Sequence, residues 1–143
     1  MSLSPRLAAI VDALPLDPTT RVLEIGCGPG AAAREVARRA GHVLAIDRSP
    51  TAIRQVTTTG AAEIAAGRLS VRCVAIEDLV LGPDDEPFDL AFAVRVGVLD
   101  GRHPAAEARA LAAVSSALRP GGRLVVDGVE RVPGAPAPRP PGP

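Results

Sequence analysis

The stretch Arg21-Val-Leu-Glu-Ile-Gly-Cys-Gly-Pro-Gly30 decides the fold. Val22, Leu23 and Ile25 form a short apolar run of the kind that suits a buried parallel strand, interrupted by one carboxylate, Glu24. Three glycines then alternate with Cys27 and Pro29, where a tight turn and close approach of a ligand to the backbone are both available. Ala31 to Arg39 reads as a helix, with Val36 inward and Arg34, Arg38 and Arg39 outward. A strand, a glycine turn and a helix in this order mark the place where open α/β sheets bind nucleotides.

Working outward, the sequence predicts alternating elements. Ser4-Pro5 and Ser49-Pro50 are N-cap and first-turn pairs that open helices. The first carries Leu7, Ile10, Val11 and Leu14 on one face and is expected to pack on the sheet and cover one edge of the ligand site. The second carries Ile53 and Val56, and Thr57 to Gly60 is a candidate break. Further strands are expected at His42–Ile46, ending on Asp47, at Leu69–Ile76, at Phe88–Val96 and at Arg123–Asp127. Leu81 to Pro87 reads as loop. Pro104 opens an Ala-rich helix with Ala108, Leu111, Val114 and Leu118 as its inner face. Strands alternating with helices predict a parallel sheet with right-handed crossovers. Residues 1–131 read as the domain and 132–143 as a Pro-rich extended or disordered tail.

Composition narrows the partners. The 143 residues carry no net charge, no Lys, no Trp or Tyr and two Phe, so the core is aliphatic. Neither a basic phosphate footprint nor aromatic stacking platforms are present, and nucleic acid is not expected as substrate. No apolar run approaches membrane-spanning length and no signal-peptide pattern opens the chain, so a soluble protein with no membrane partner is expected. Two cysteines in separate strand-like segments predict reduced thiols and a cytoplasmic location.

Two ligands compete for the glycine turn: a dinucleotide, whose pyrophosphate seeks helix N-terminal amides, or a cationic nucleoside such as S-adenosylmethionine. Glu24 would repel a pyrophosphate but can help hold an ammonium group. Pro29 deletes an amide donor, a loss that matters more to a phosphate. The spacing Gly26, Gly28, Gly30 also departs from the dinucleotide fingerprint. Asp47 ends the second strand about where a carboxylate meets ribose hydroxyls.

With these residues in place, the chain resembles the class I S-adenosylmethionine-dependent methyltransferases from about Arg21 to Val126. Val22–Gly30 resembles the first motif of that family, Val43–Asp47 the second-strand motif, Phe88–Phe92 the fourth strand and Leu118–Val126 the fifth. The resemblance implies a Rossmann-like parallel sheet in the order 3-2-1-4-5 with S-adenosylmethionine as cofactor. It puts Glu24 and the turn Gly26, Cys27, Gly28 and Gly30 at the methionine end, Asp47 on the ribose, and Arg48, Ile76, Glu77 and Asp78 around the adenine. The implied reaction is methyl transfer to a small-molecule oxygen, nitrogen or sulfur nucleophile.

The departures from the family are as informative. Val74-Ala75-Ile76 stands where many members have Gly-Asp-Ala, which leaves Glu77 or Asp78 for the adenine amino group. Val94-Arg95-Val96-Gly97 replaces the Asn-Pro-Pro-Tyr of amino-methylating enzymes of nucleic acid and protein. It sets Arg95 at the mouth of the site, where a guanidinium could orient an anionic or carbonyl-bearing acceptor. His103 is the candidate general base, against a surface-loop reading. Cys27 reads as a packing residue in the turn and Cys73 as core. The fold is expected to be truncated, without the C-terminal strand pair, leaving the fifth strand as an open edge that a second copy or a partner chain would cover. A cofactor-binding module without catalysis is the rival reading, and a dinucleotide oxidoreductase is disfavoured by Glu24 and Pro29.

Overall fold

A computed structural model describes residues 3–132. Five helices and six strands follow one another as α1 (Pro5–Ala13), β1 (Arg21–Ile25), α2 (Ala31–Arg39), β2 (His42–Asp47), α3 (Pro50–Thr59), α4 (Ala61–Ala65), β3 (Leu69–Cys73), β4 (Phe88–Ala93), α5 (Pro104–Ala117), β5 (Leu118–Val126) and β6 (Val129–Arg131). Single 3₁₀ turns lie at Ile76–Asp78 and Gly97–Leu99. The strands form one sheet in the order β3-β2-β1-β4-β5-β6, parallel except for β6. β1 is therefore central, with Glu24 opposite Ala45 on β2 and Phe92 on β4.

Helix boundaries follow local chemistry. The Ser4 and Ser49 hydroxyls each accept a hydrogen bond from the amide three residues on, at 3.2 Å, and proline opens both helices. α3 stops after three threonines whose hydroxyls donate to the carbonyls of Ile53, Arg54 and Gln55, a bonding pattern that weakens a helix. The expected break thus falls at Gly60, between α3 and α4.

Period-two alternation divides the apolar residues between two faces. Leu23, Ile25, Leu44, Ile46, Leu124 and Val126 pack with Leu111 and Val114 of α5. Val22, Val43, Ala45, Leu90, Phe92 and Val125 pack with α1, α2 and Val56 of α3. Both faces of a parallel sheet must be buried, and here both are.

Several expectations are corrected. β5 is not open along its whole length, because β6 pairs with it antiparallel over Leu124–Val126, while Leu118–Arg123 has no partner on that side among the described residues. The turn that allows this runs through Asp127 and Gly128, both at positive φ. The α5 face of the sheet is covered by Ile76 and Leu79 as well as by the helix. The inner face of α5 is Ala110, Leu111, Val114 and Ala117 with Glu107, and Ala108 is exposed. β3 ends at Cys73, which is exposed rather than core, and β4 ends at Ala93. β5 starts five residues earlier than expected, with a register shift opposite Phe88–Leu90 where the chain accommodates Pro120-Gly121-Gly122. The tail reading falls on residues that, apart from Val132, lie outside those described.

Candidate functional site

The glycine turn leaves the carboxyl end of β1 with Gly26, Gly28 and Gly30 all at positive φ. At Gly30, φ is 94° and an added Cβ would lie 2.2 Å from Cγ2 of Val56, so only glycine lets α2 start this close to α3. The turn is tied to β2 twice. The Cys27 amide donates to the Ile46 carbonyl at 2.9 Å, and the Gly28 amide donates to Asp47 Oδ2 at 2.9 Å. Asp47 Oδ1 also accepts from the Ser49 amide at 2.9 Å, so one carboxylate joins β1, β2 and the start of α3.

Beneath the turn sits Glu24, only 4% exposed, with no hydrogen-bond partner for Oε1. Burial, and then the charge of nearby Asp47, push its carboxyl up to about 8. Cys27 is buried beside it, and its thiol is pushed up to about 12 by burial and then by Glu24 and Asp47. Cys27 packs in the apolar cluster with Val22, Ala33 and Val36.

In front of the turn a cleft of about 440 Å³ opens across the carboxyl ends of β1, β2 and β4, within the size range of small-molecule sites. One wall is Asp47, Arg48, Ala75, Ile76 and Glu77. The other is Arg95, Val96, Gly97, Val98, His103 and Ala106. The walls meet at Gly26, where an added Cβ would stand 2.7 Å from Val96 Cγ2. The structure therefore brings Gly26, Asp47, Arg48, Ile76, Glu77, Arg95 and His103 together. Glu24, Cys27, Gly28 and Gly30 lie behind the lining, and Asp78 is exposed outside it. α1 contributes nothing to the cleft, contrary to expectation. Its side chains instead border a separate hollow above α2.

Sequence reading missed Val98 and Ala106, which line the second wall, and Glu107 and Arg131 behind it. Their places depend on how α5 and β6 dock, and no local motif announces that. Arg95 is at φ 56°, unusual for a side-chain-bearing residue, with its amide donating to Asp127 Oδ1 at 2.8 Å. Among the described residues, neither Arg48 nor Arg95 forms an ion pair. The same residues hold no group of side chains arranged for a metal, and no helix among them is long and apolar enough to cross a membrane.

A family model described as a methyltransferase domain matches residues 22–122. The chain belongs to that family. The methyltransferase chain is 35% identical over 127 residues to a ubiquinone biosynthesis O-methyltransferase of Xylella fastidiosa (strain 9a5c), covering 88% of this chain and 48% of that protein. It thus spans about half the length of the curated relatives it matches. A solved S-adenosylmethionine-dependent methyltransferase from Thiobacillus denitrificans, in complex with S-adenosylhomocysteine, is 26% identical with TM-score 0.68, over 87% of this chain and 48% of that one. The [4+2]-cyclase SpnF is similar at 28% identity and TM-score 0.68, over 83% and 42%. The sheet order and the glycine turn are those of a class I methyltransferase domain, and its cofactor is S-adenosylmethionine.

The residues present fit that cofactor. Glu24 Oε1 is a buried acceptor without a donor, and the space at Gly28 is open, since an added Cβ would meet nothing within 4 Å. A dinucleotide pyrophosphate fits less well next to the Asp47 carboxylate, which already takes the Gly28 amide, and a turn that lacks the Pro29 amide.

Proposed function

We propose that this domain catalyses methyl transfer from S-adenosylmethionine to an oxygen, nitrogen or sulfur nucleophile of a small molecule. The observation that carries the reading is the cleft between the glycine turn and Val96, with Asp47 on one side and Arg95 and His103 on the other. When bound, the cofactor supplies an electrophilic methyl group on a sulfonium. Glu24 and the Gly26–Gly30 turn hold the amino-acid end. Asp47 spends one lone pair on each of two amides and keeps acceptor capacity for ribose hydroxyls. Arg48, Ile76 and Glu77 flank the adenine, and Asp78, outside the cleft, has no part in it. Arg95 orients an anionic or carbonyl-bearing acceptor, and His103 takes the proton of a hydroxyl or thiol. In-line positioning supplies most of the acceleration that such a site can give.

A small-molecule acceptor is favoured by the likeness to a ubiquinone biosynthesis O-methyltransferase. A relative named as an rRNA adenine N-6-methyltransferase, from Aeromicrobium erythreum, is 34% identical but covers 62% of this chain and 25% of its own length. The neutral composition and the Val94–Gly97 sequence speak against nucleic acid. Two free thiols support a cytoplasmic location. With β5 paired over Leu124–Val126, the edge left for a second copy on that side is β6 and the Leu118–Arg123 part of β5 that β6 leaves unpaired, and a monodisperse monomer in ultracentrifugation ends the homodimer reading.

The test is release of S-adenosylhomocysteine across a panel of small phenols, amines, thiols and carboxylic acids. Turnover with one class supports transfer. Tight cofactor binding without turnover on any supports the non-catalytic module, a reading favoured by the likeness to a cyclase and by the half-length match.

A further inference from the structure

The second wall of the cleft, Arg95 to Ala106, is a loop with a single 3₁₀ turn followed by the start of α5. Two bonds reach it from the β5–β6 hairpin, and a third reaches Glu107 in the first turn of α5. Asp127 Oδ1 accepts from the Arg95 amide at 2.8 Å. Arg131 Nη1 donates to the Leu99 carbonyl at 3.3 Å, and its Nη2 donates to Glu107 Oε1 at 3.0 Å. The Arg131 and Glu107 side chains are only 14% and 5% exposed. Exposed ion pairs contribute little, but a buried pair leaves an uncompensated charge when one partner is lost. The planar fork of a guanidinium lets Arg131 hold two acceptors on two different elements at once.

We propose that Arg131 is a positioning residue: it fixes the acceptor-side wall at the distance from the glycine turn that the ligand needs. The proposal rests on the reading of this cleft as the cofactor and acceptor site. Arg131 does not line the cleft, and it acts through Leu99 and Glu107 on Val96–Val98 and His103. The hairpin that supplies it thereby extends the sheet by one strand and braces the loop of the second wall.

Hydrogen exchange on the full ligand-free chain reads the bracing directly. The Leu99 and Asp100 amides bond to the Val96 and Gly97 carbonyls, the Glu107 amide to His103, and the Cys27 amide to Ile46 as a remote reference. In Arg131→Lys one ammonium keeps Glu107 and releases the Leu99 carbonyl. Leu99 and Asp100 then exchange about tenfold faster, while Glu107 and Cys27 keep their wild-type rates. In Arg131→Gln the Glu107 amide accelerates too, and S-adenosylhomocysteine binds severalfold more weakly by calorimetry. Unchanged Leu99 and Asp100 rates in both folded variants, acceleration of all four amides together, or equal affinity in wild type and Arg131→Gln would overturn the proposal. Failure of the wild type to bind S-adenosylhomocysteine would instead overturn the proposed function, and the exchange pattern would still decide whether Arg131 holds the wall.

Discussion

The wall of the cleft proposed to hold the nucleoside, at Asp47–Arg48 and Ala75–Glu77, hangs from the ends of β2 and β3 and is tied to the glycine turn by backbone amides. The wall proposed to face the acceptor, Arg95–Ala106, is tied instead to side chains of the hairpin more than twenty residues further on. The first wall is built by motifs that specify their own geometry. The second takes its shape from tertiary docking.

Substitutions can break this contrast. The largest effect is expected for Gly30→Ala, which adds a Cβ at positive φ against Val56. Backbone strain and overpacking together should cost roughly 3–5 kcal/mol in urea unfolding. Loss near zero would show that the turn tolerates a side chain and that its glycines do not dictate the nucleoside wall.

Glu24→Gln comes next, through pH. Glu24 is raised to about 8 in the fold, so its contribution to stability is fully present below the ordinary carboxylate range. It is lost as pH rises through about 8, because the folded chain then holds a proton that the unfolded chain has released. The ligand-free wild type should lose a few kcal/mol, on the order of 2–4, between pH 5 and 8, and Glu24→Gln should show a flatter curve. Parallel curves would mean that Glu24 is not desolvated as the structure shows. A ligand ammonium near Glu24 favours the ionised form, so cofactor binding should release protons near pH 7, measurable as a buffer-dependent binding enthalpy.

Asp47→Ala removes the acceptor shared by the Gly28 and Ser49 amides. It should weaken S-adenosylhomocysteine binding by about 1–3 kcal/mol. The smallest effect is expected across the cleft, where Arg95→Gln should change that affinity by less than about 0.5 kcal/mol, as for an exposed side chain, while product formation falls. Equal losses in Asp47→Ala and Arg95→Gln would erase the distinction between the walls.

The same contrast explains what was legible in the sequence. β1, the turn, β2 and Asp47 were readable because strand pattern, turn chemistry and capping all act within a few residues, and Ser49-Pro50 and the threonine run placed α3 and its end. β6 was hidden because Val129–Arg131 is too short to show a period, and its partner is found only by folding the chain back at Gly128. Glu107 and Arg131 each read as ordinary surface charges on their own, and only docking of α5 against the hairpin buries them as a pair. Cys73 read as core because its strand is apolar, but β3 is an edge strand and its end is solvent-facing.

The central claim is that the glycine turn, with Glu24 beneath it, accepts a sulfonium nucleoside and not a pyrophosphate. Calorimetric titration of the wild-type chain with S-adenosylmethionine, S-adenosylhomocysteine and NAD tests it most directly. The account predicts saturable binding of both methionine derivatives and none of NAD. Binding of NAD with neither methionine derivative bound would contradict it.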